Sequence, residues 1–224
     1  DGSVGSSQVS ADLITGQTAL ASEPADTDEF LVSDAGTLKR IDYSLIKGGG
    51  CWEKLDTITI SGTTSQIEHE EANFTSTHRD YKIMLSNITV SADAAIRMRI
   101  AGDGATLLSS TDYRYAMTSY KSADSTNTQA DQDDTSFFMG GANTGTGGSY
   151  STNFEINLYN PLSTSTYMTF SSFGHQNDYN NYTITHVGAG TYVAADSTAM
   201  KRFVLYMSSG DFNGGTSTLY GRIA

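Results

Sequence analysis

Residues 153–158, NFEINL, place Phe154, Ile156 and Leu158 against Asn153, Glu155 and Asn157, the period of two of a half-buried β-strand. IRMRI at 96–100 repeats the pattern, with Ile96, Met98 and Ile100 on one side and Arg97 and Arg99 on the other. Working outward, strand character recurs at Leu55, Ile58 and Ile60, at Tyr81, Ile83 and Leu85, at 166–173 and at 182–187. The last two predicted strands, 201–207 and 217–223, flank GDFNGG at 210–215, where Asn213-Gly214 reads as a hairpin turn. About ten or eleven strands and no convincing helix predict an all-β chain, a jelly-roll-like two-sheet β-sandwich. FVLYM at 203–207 is apolar on both faces. Such a strand is either central and covered on both sides, or meets another subunit.

Upstream, TDEFLVSDAGTLKRIDYSLIKGGGCW at 27–52 divides the chain. A short strand from Phe30 to Val32 meets an Asp-Ala-Gly turn at Asp34 to Gly36. A second strand is expected from Leu38 to Leu45, and three glycines, Gly48 to Gly50, follow. The expected organisation is an extended N-terminal attachment arm with a hairpin (1–47), a glycine hinge (48–51) and a β-sandwich head (52–224). Residues 1–26 are rich in Ser, Ala, Gly and Thr and are expected to be extended, ordering only against partner chains. A lone two-stranded hairpin is marginal, so Phe30, Val32, Leu38, Ile41 and Leu45 are expected to dock on something.

A net charge of −12 argues against nucleic-acid binding, which rests on Lys and Arg contacts to phosphate, and against anionic lipid. No run of ~18 apolar residues exists to insert in a membrane, and no signal peptide is seen. Cys51 is the only cysteine, so no intrachain disulfide can form, which fits assembly in a reducing cytosol. The numbering starts at Asp1, which suggests a start inside a longer or processed product.

Few motifs carry chemistry. Residues 122–136 hold Asp124, Asp131, Asp133 and Asp134 and resemble an oxygen-rich cation loop, but the EF-hand Gly and Glu positions are not filled. A solvated acidic loop is the plain reading; Asp131, Asp133 and Asp134 are the metal candidates. The four histidines lack metal spacing, and His69 beside Glu68, Glu70 and Glu71 reads as the exposed face of a strand. There is no G-x-S-x-G elbow. The glycine-rich run at 140–148 lacks a P-loop ending. No catalytic residue and no cofactor is expected. Residues 173–182, FGHQNDYNNY, and a tyrosine-rich loop at 113–120 combine aromatic faces with amides, as sugar recognition requires. Tyr113, Tyr115, His175, Tyr179 and Tyr182 are the candidate glycan or receptor residues; the alternative is that these tyrosines fill the sandwich edge or a subunit contact.

Five segments carry a resemblance: WEKLDTITIS at 52–61, YKIML at 81–85, IRMRI at 96–100 with Gly102-Asp-Gly104, DYRY at 112–115, and SGDFNGGTSTLYG at 209–221. Together they resemble a family of tailed-phage virion proteins of marine and cyanobacterial phages. EFLVSDAGTLKRIDY at 29–43 is similar to connector pieces near the start of phage fibre proteins. The resemblance covers residues 28–224 and brings no active-site residues. It implies a virion-located structural protein, a homotrimeric tail fibre or spike assembled in the host cytoplasm. Its arm would bind other virion proteins and its head would contact host surface polysaccharide. The alternatives are a capsid or tail decoration or connector protein without receptor binding and, further off, a polysaccharide depolymerase or a cellular lectin.

Overall fold

A computed structural model describes residues 12–46, 51–102, 106–122, 125–140, 150–177, 182–193 and 199–223. The chain divides into two compact units, residues 1–49 and 50–224. Gly48 to Gly50, read above as a hinge, lie outside the described residues, as do Asp124, Tyr179 and most of the glycine-rich run.

The first unit holds a helical turn α1 (Asp12–Thr15), strands β1 (Glu29–Asp34) and β2 (Thr37–Asp42), and a second turn α2 (Tyr43–Ile46). The strands pair antiparallel with Asp34 opposite Thr37. Ala35 (φ 49°) and Gly36 (φ 84°) both take the left-handed region, as a two-residue hairpin turn whose twist matches its strands requires. Leu45 therefore sits in α2 and not, as expected, at the end of the second strand. Alternation puts Phe30, Val32 and Ile41 on one face and Leu31 and Leu38 on the other.

The second unit contains β3 (Trp52–Ile60), β4 (Gln66–Glu68), a 3₁₀ turn at Glu71–Asn73, β5 (His78–Val90), β6 (Ile96–Gly102), β7 (Tyr113–Lys121) and β8 (Ser125–Asp134). β9 (Phe137–Gly140), β10 (Thr152–Tyr159), β11 (Thr169–Asn177), β12 (Thr183–Tyr192), β13 (Met200–Met207) and β14 (Phe212–Ile223) complete it. An eight-stranded sheet runs β3-β14-β5-β10-β11-β12-β7-β8, and a four-stranded sheet runs β4-β13-β6-β9. Every pairing described is antiparallel. The all-β two-sheet sandwich expected from the period-two stretches is what forms. β3 and β14 lie side by side with Trp52 opposite Arg222.

Aromatic contacts cross between the sheets. Tyr113 of β7 meets Phe137 of β9 edge-on at 4.7 Å, and Phe137 meets Phe170 of β11 at 4.6 Å. At the other end Phe74 packs on Phe203 at 5.0 Å. Two core rings lie across glycines of the neighbouring strand. Phe154 faces Gly174, where a Cβ would stand 2.2 Å from its ring, and Phe170 faces Gly190. The aromatic covers a backbone that only glycine leaves open.

Three expectations need correction. β13 and β14 are not a hairpin: they lie in different sheets, and Gly210 (φ 75°) helps carry the chain across, while Asn213-Gly214 falls in a bulged part of β14. The supposed acidic loop contains β8, the edge strand of the large sheet, where charges discourage further strand pairing. The supposed tyrosine-rich loop is β7, a strand with neighbours on both sides. The doubly apolar strand proves central and covered. Val204 is 1% exposed, between Glu68 and Arg99 on its neighbours. Arg202 pairs with Glu68, and Arg99 lies over the Tyr206 ring at 5.2 Å. Long charged side chains on neighbouring strands can cover apolar surface with their stems in this way.

Candidate functional site

Alternation fixes which side chains of the large sheet look away from the core. On β7, Tyr113, Tyr115 and Met117 point inward, while Arg114, Ala116 and Tyr120 point outward. The registers carry that choice across the sheet. One outward row runs Glu155, Phe173, Val187, Thr118 and Thr128 over β10, β11, β12, β7 and β8. Phe173 is 57% exposed and Val187 46%, so this face carries an uncovered apolar pair. The next row holds Asn153, His175, Thr185, Tyr120 and Thr126, with Asn153 Nδ2 3.3 Å from His175 Nε2. This broad outward face is the candidate interaction surface of the second unit.

The structure separates the five candidate glycan residues. Tyr113 is fully buried, its hydroxyl donating to the Leu108 carbonyl at 2.8 Å and accepting the Ile100 N–H. Burial raises its pKa. Tyr115 is also buried and donates to Asp134 Oδ2 at 3.0 Å; burial and that carboxylate push its pKa up to about 12. Both rings belong to the core, and Tyr113 cannot touch a surface glycan. His175 stands on the outward face, and Tyr182, 39% exposed, carries the Lys121 ammonium 4.8 Å above its ring. Tyr179 lies outside the described residues.

The metal candidates separate too. Asp131 Oδ1 accepts the Asp133 N–H at 2.9 Å. Asp134 turns inward, accepting from Arg97 at 2.9 Å and from Tyr115. Burial raises its pKa, but Arg97, the Thr135 N–H and the Tyr115 hydroxyl together hold it below the usual carboxylate value. Its charge is thus already matched by a guanidinium. Among the described residues no group of three His, Cys, Asp or Glu side chains is placed to hold a metal ion.

One arrangement escaped sequence reasoning. His69 is 1% exposed, not on an exposed strand face. Its Nδ1 lies 2.7 Å from Asp56 Oδ2 and its Nε2 2.9 Å from Ser217 Oγ. This is the residue order of an acid–base–nucleophile triad. Ser217, however, is 0% exposed, on the core side of β14 between β3 and β5, where no substrate can reach it. The array is a buried polar clamp tying β3, β14 and the segment after β4. Burial lowers the His69 pKa, against the pull of Asp56. The partners are 13 and 148 residues away, so no local motif announces it.

On the first unit the structure places Leu31 (74% exposed), Leu38 (70%) and Leu45 (74%) in solvent, with Phe30 at 40%. Val32 and Ile41 are half-buried. Leu31, the outward partner of Leu38 on its face, was not among the sequence candidates. Among the described residues no helix is long and apolar enough to cross a membrane. Searches of protein-family models, curated proteins and solved structures find no match to the chain.

Proposed function

We propose that this chain is a non-enzymatic structural component of a phage virion. In this reading it is fibre- or spike-like, joined to the particle through its first unit and presenting the second towards the host surface. The observation that carries the reading is the hairpin of the first unit. Leu31 and Leu38 stand in solvent on an element of two strands, too small to be stable alone, and Leu45 is exposed on the turn that follows it. A surface of that kind is stabilised when other chains bury it. The second unit has its own core and needs no such help. Its wide antiparallel sheet offers a flat recognition surface. The partners in this reading are two further copies of the chain, neighbouring virion proteins and host polysaccharide, with no nucleic acid and no membrane insertion.

Native mass spectrometry and immunogold labelling of particles test it. The expected result is a trimer in solution and antibody label on virions, with assembly weakened in the Leu31→Asp/Leu38→Asp variant at unchanged far-ultraviolet circular dichroism. A monomer whose incorporation into particles is indifferent to those two changes would overturn the reading.

A further inference from the structure

Beside the exposed Phe173 row, the outward face of the large sheet dips. Asn157, Ser171, Ala189, Ala116 and Ala130 stand in register across β10, β11, β12, β7 and β8, so its far half is methyl groups. Beside this short row, Tyr159, Thr169, Thr191 and Arg114 stand in register. Ser171, Ala189 and Ala116 and the row from Tyr159 to Arg114 line a cleft of about 590 Å³ that runs across the strands. That volume is of the order of small-ligand sites, roughly 300–1,000 Å³. From Tyr159 to Arg114 is three strand spacings, roughly 14 Å.

We infer that this cleft binds a short stretch of neutral polysaccharide, lying across the strands from Tyr159 to Arg114. The inference rests on the proposed host-facing role of this unit and names the ligand class. The Tyr159 ring is 44% exposed, and its hydroxyl lies 2.9 Å from Ser171 Oγ, which fixes the plane on which a sugar ring stacks. Apolar floor and polar rim suit the two surfaces of a pyranose, C–H faces and hydroxyl edges. The rim supplies donors and acceptors: Arg114 at one end, and Asp131, Gln132 and Thr169 around it. The Thr191 hydroxyl donates to the Met168 carbonyl at 3.0 Å, leaving its oxygen free to accept.

Charge selects among saccharides. Arg114 makes no ion pair among the described residues, and Asp131 also lines the cleft, so charges of both signs stand along it. The chain as a whole is at −12, which repels an acidic polymer before it arrives. A neutral chain meets neither penalty.

Saturation-transfer difference NMR on the full chain tests this, with linear neutral trisaccharides of glucose, galactose and mannose at millimolar concentration and a triuronate as the acidic arm. At least one neutral trisaccharide is expected to receive saturation, and the triuronate none. Tyr159→Ala and Ala116→Leu, which remove the stacking ring and fill the floor, are each expected to weaken binding about tenfold or more. Both positions face solvent, so circular dichroism should match the parent. Lys54→Ala, on β3 at the opposite edge of the large sheet, should change nothing, and Leu31→Asp/Leu38→Asp should leave sugar binding intact even where assembly fails. No saturation of any neutral trisaccharide, equal binding of the triuronate, or binding that survives both cleft variants would overturn the inference. None of those outcomes bears on the assembly role.

Discussion

Lowering the pH should loosen the second unit through His186, and the size of the effect can be worked out. His186 is 2% exposed, with Nδ1 2.7 Å from Ser119 Oγ, while Nε2 has no hydrogen-bond partner. Its other neighbours are apolar or small: the Phe154 ring at 5.5 Å, Gly174 in register, and Gly140 from the opposing sheet. Burial, with no carboxylate beside it, pushes its pKa from 6.5 down to about 4. The sign follows. The unfolded chain takes up the proton first as pH falls, so the stability is whole above pH 6.5, erodes below it and levels off beneath the folded value. Linkage puts the penalty at about 0.2 kcal/mol at pH 7, about 2 kcal/mol at pH 5 and about 3 kcal/mol near pH 4. His69 is depressed in the same direction, so the parent's pH slope alone does not isolate His186. The comparison with His186→Gln does, because contributions from the other sites cancel in the difference. Urea unfolding followed by circular dichroism at fixed protein concentration should show the parent losing about 2 kcal/mol relative to the variant between pH 7 and pH 5. A gap between the two that stays constant to within about 0.5 kcal/mol would refute the reasoning.

Two further expectations bear on the core. Gly174→Ala drives a methyl into the Phe154 ring, which cannot retreat through the sheet, and should cost about 1–3 kcal/mol by urea unfolding; a neutral effect would mean the ring moves freely. A fluorophosphonate probe should leave Ser217 unmodified in the folded chain, as read by intact mass. Stoichiometric labelling there would show that the buried clamp opens and that the triad-like order is chemically competent.

Strands that carry one core-facing side were legible from the start. The alternation at 96–100 and 153–158 reappears as alternating burial along β6 and β10. In β7 the same alternation was present, with Tyr113, Tyr115 and Met117 inward, but tyrosine serves cores and surfaces alike and its hydroxyls hid the pattern. β8 has no apolar period at all; it is a strand because β7 offers it a ladder, which is a partner's property and not its own. The turn residues Asn213-Gly214 mark a bend without saying whether the chain doubles back or changes sheet. His69 looked exposed among glutamates because its burial depends on Asp56 and Ser217, brought to it only by the finished fold. The dip beside Tyr159 was unreadable for a related reason. It is a row across five strands, and no two of its members are neighbours in sequence.

The pairing of Trp52 with Arg222 has a mechanical consequence. The strand that leads into the second unit is the outermost of the large sheet, bonded on one side only, to β14. A tug at Trp52 along the strand's own axis loads the hydrogen bonds of that ladder together, in shear. A tug perpendicular to the axis would peel them apart one at a time, from Trp52 inwards. The β3 strand therefore resists pulling in one direction and yields in the other, and the weak direction begins beside Ile223, where the last strand ends.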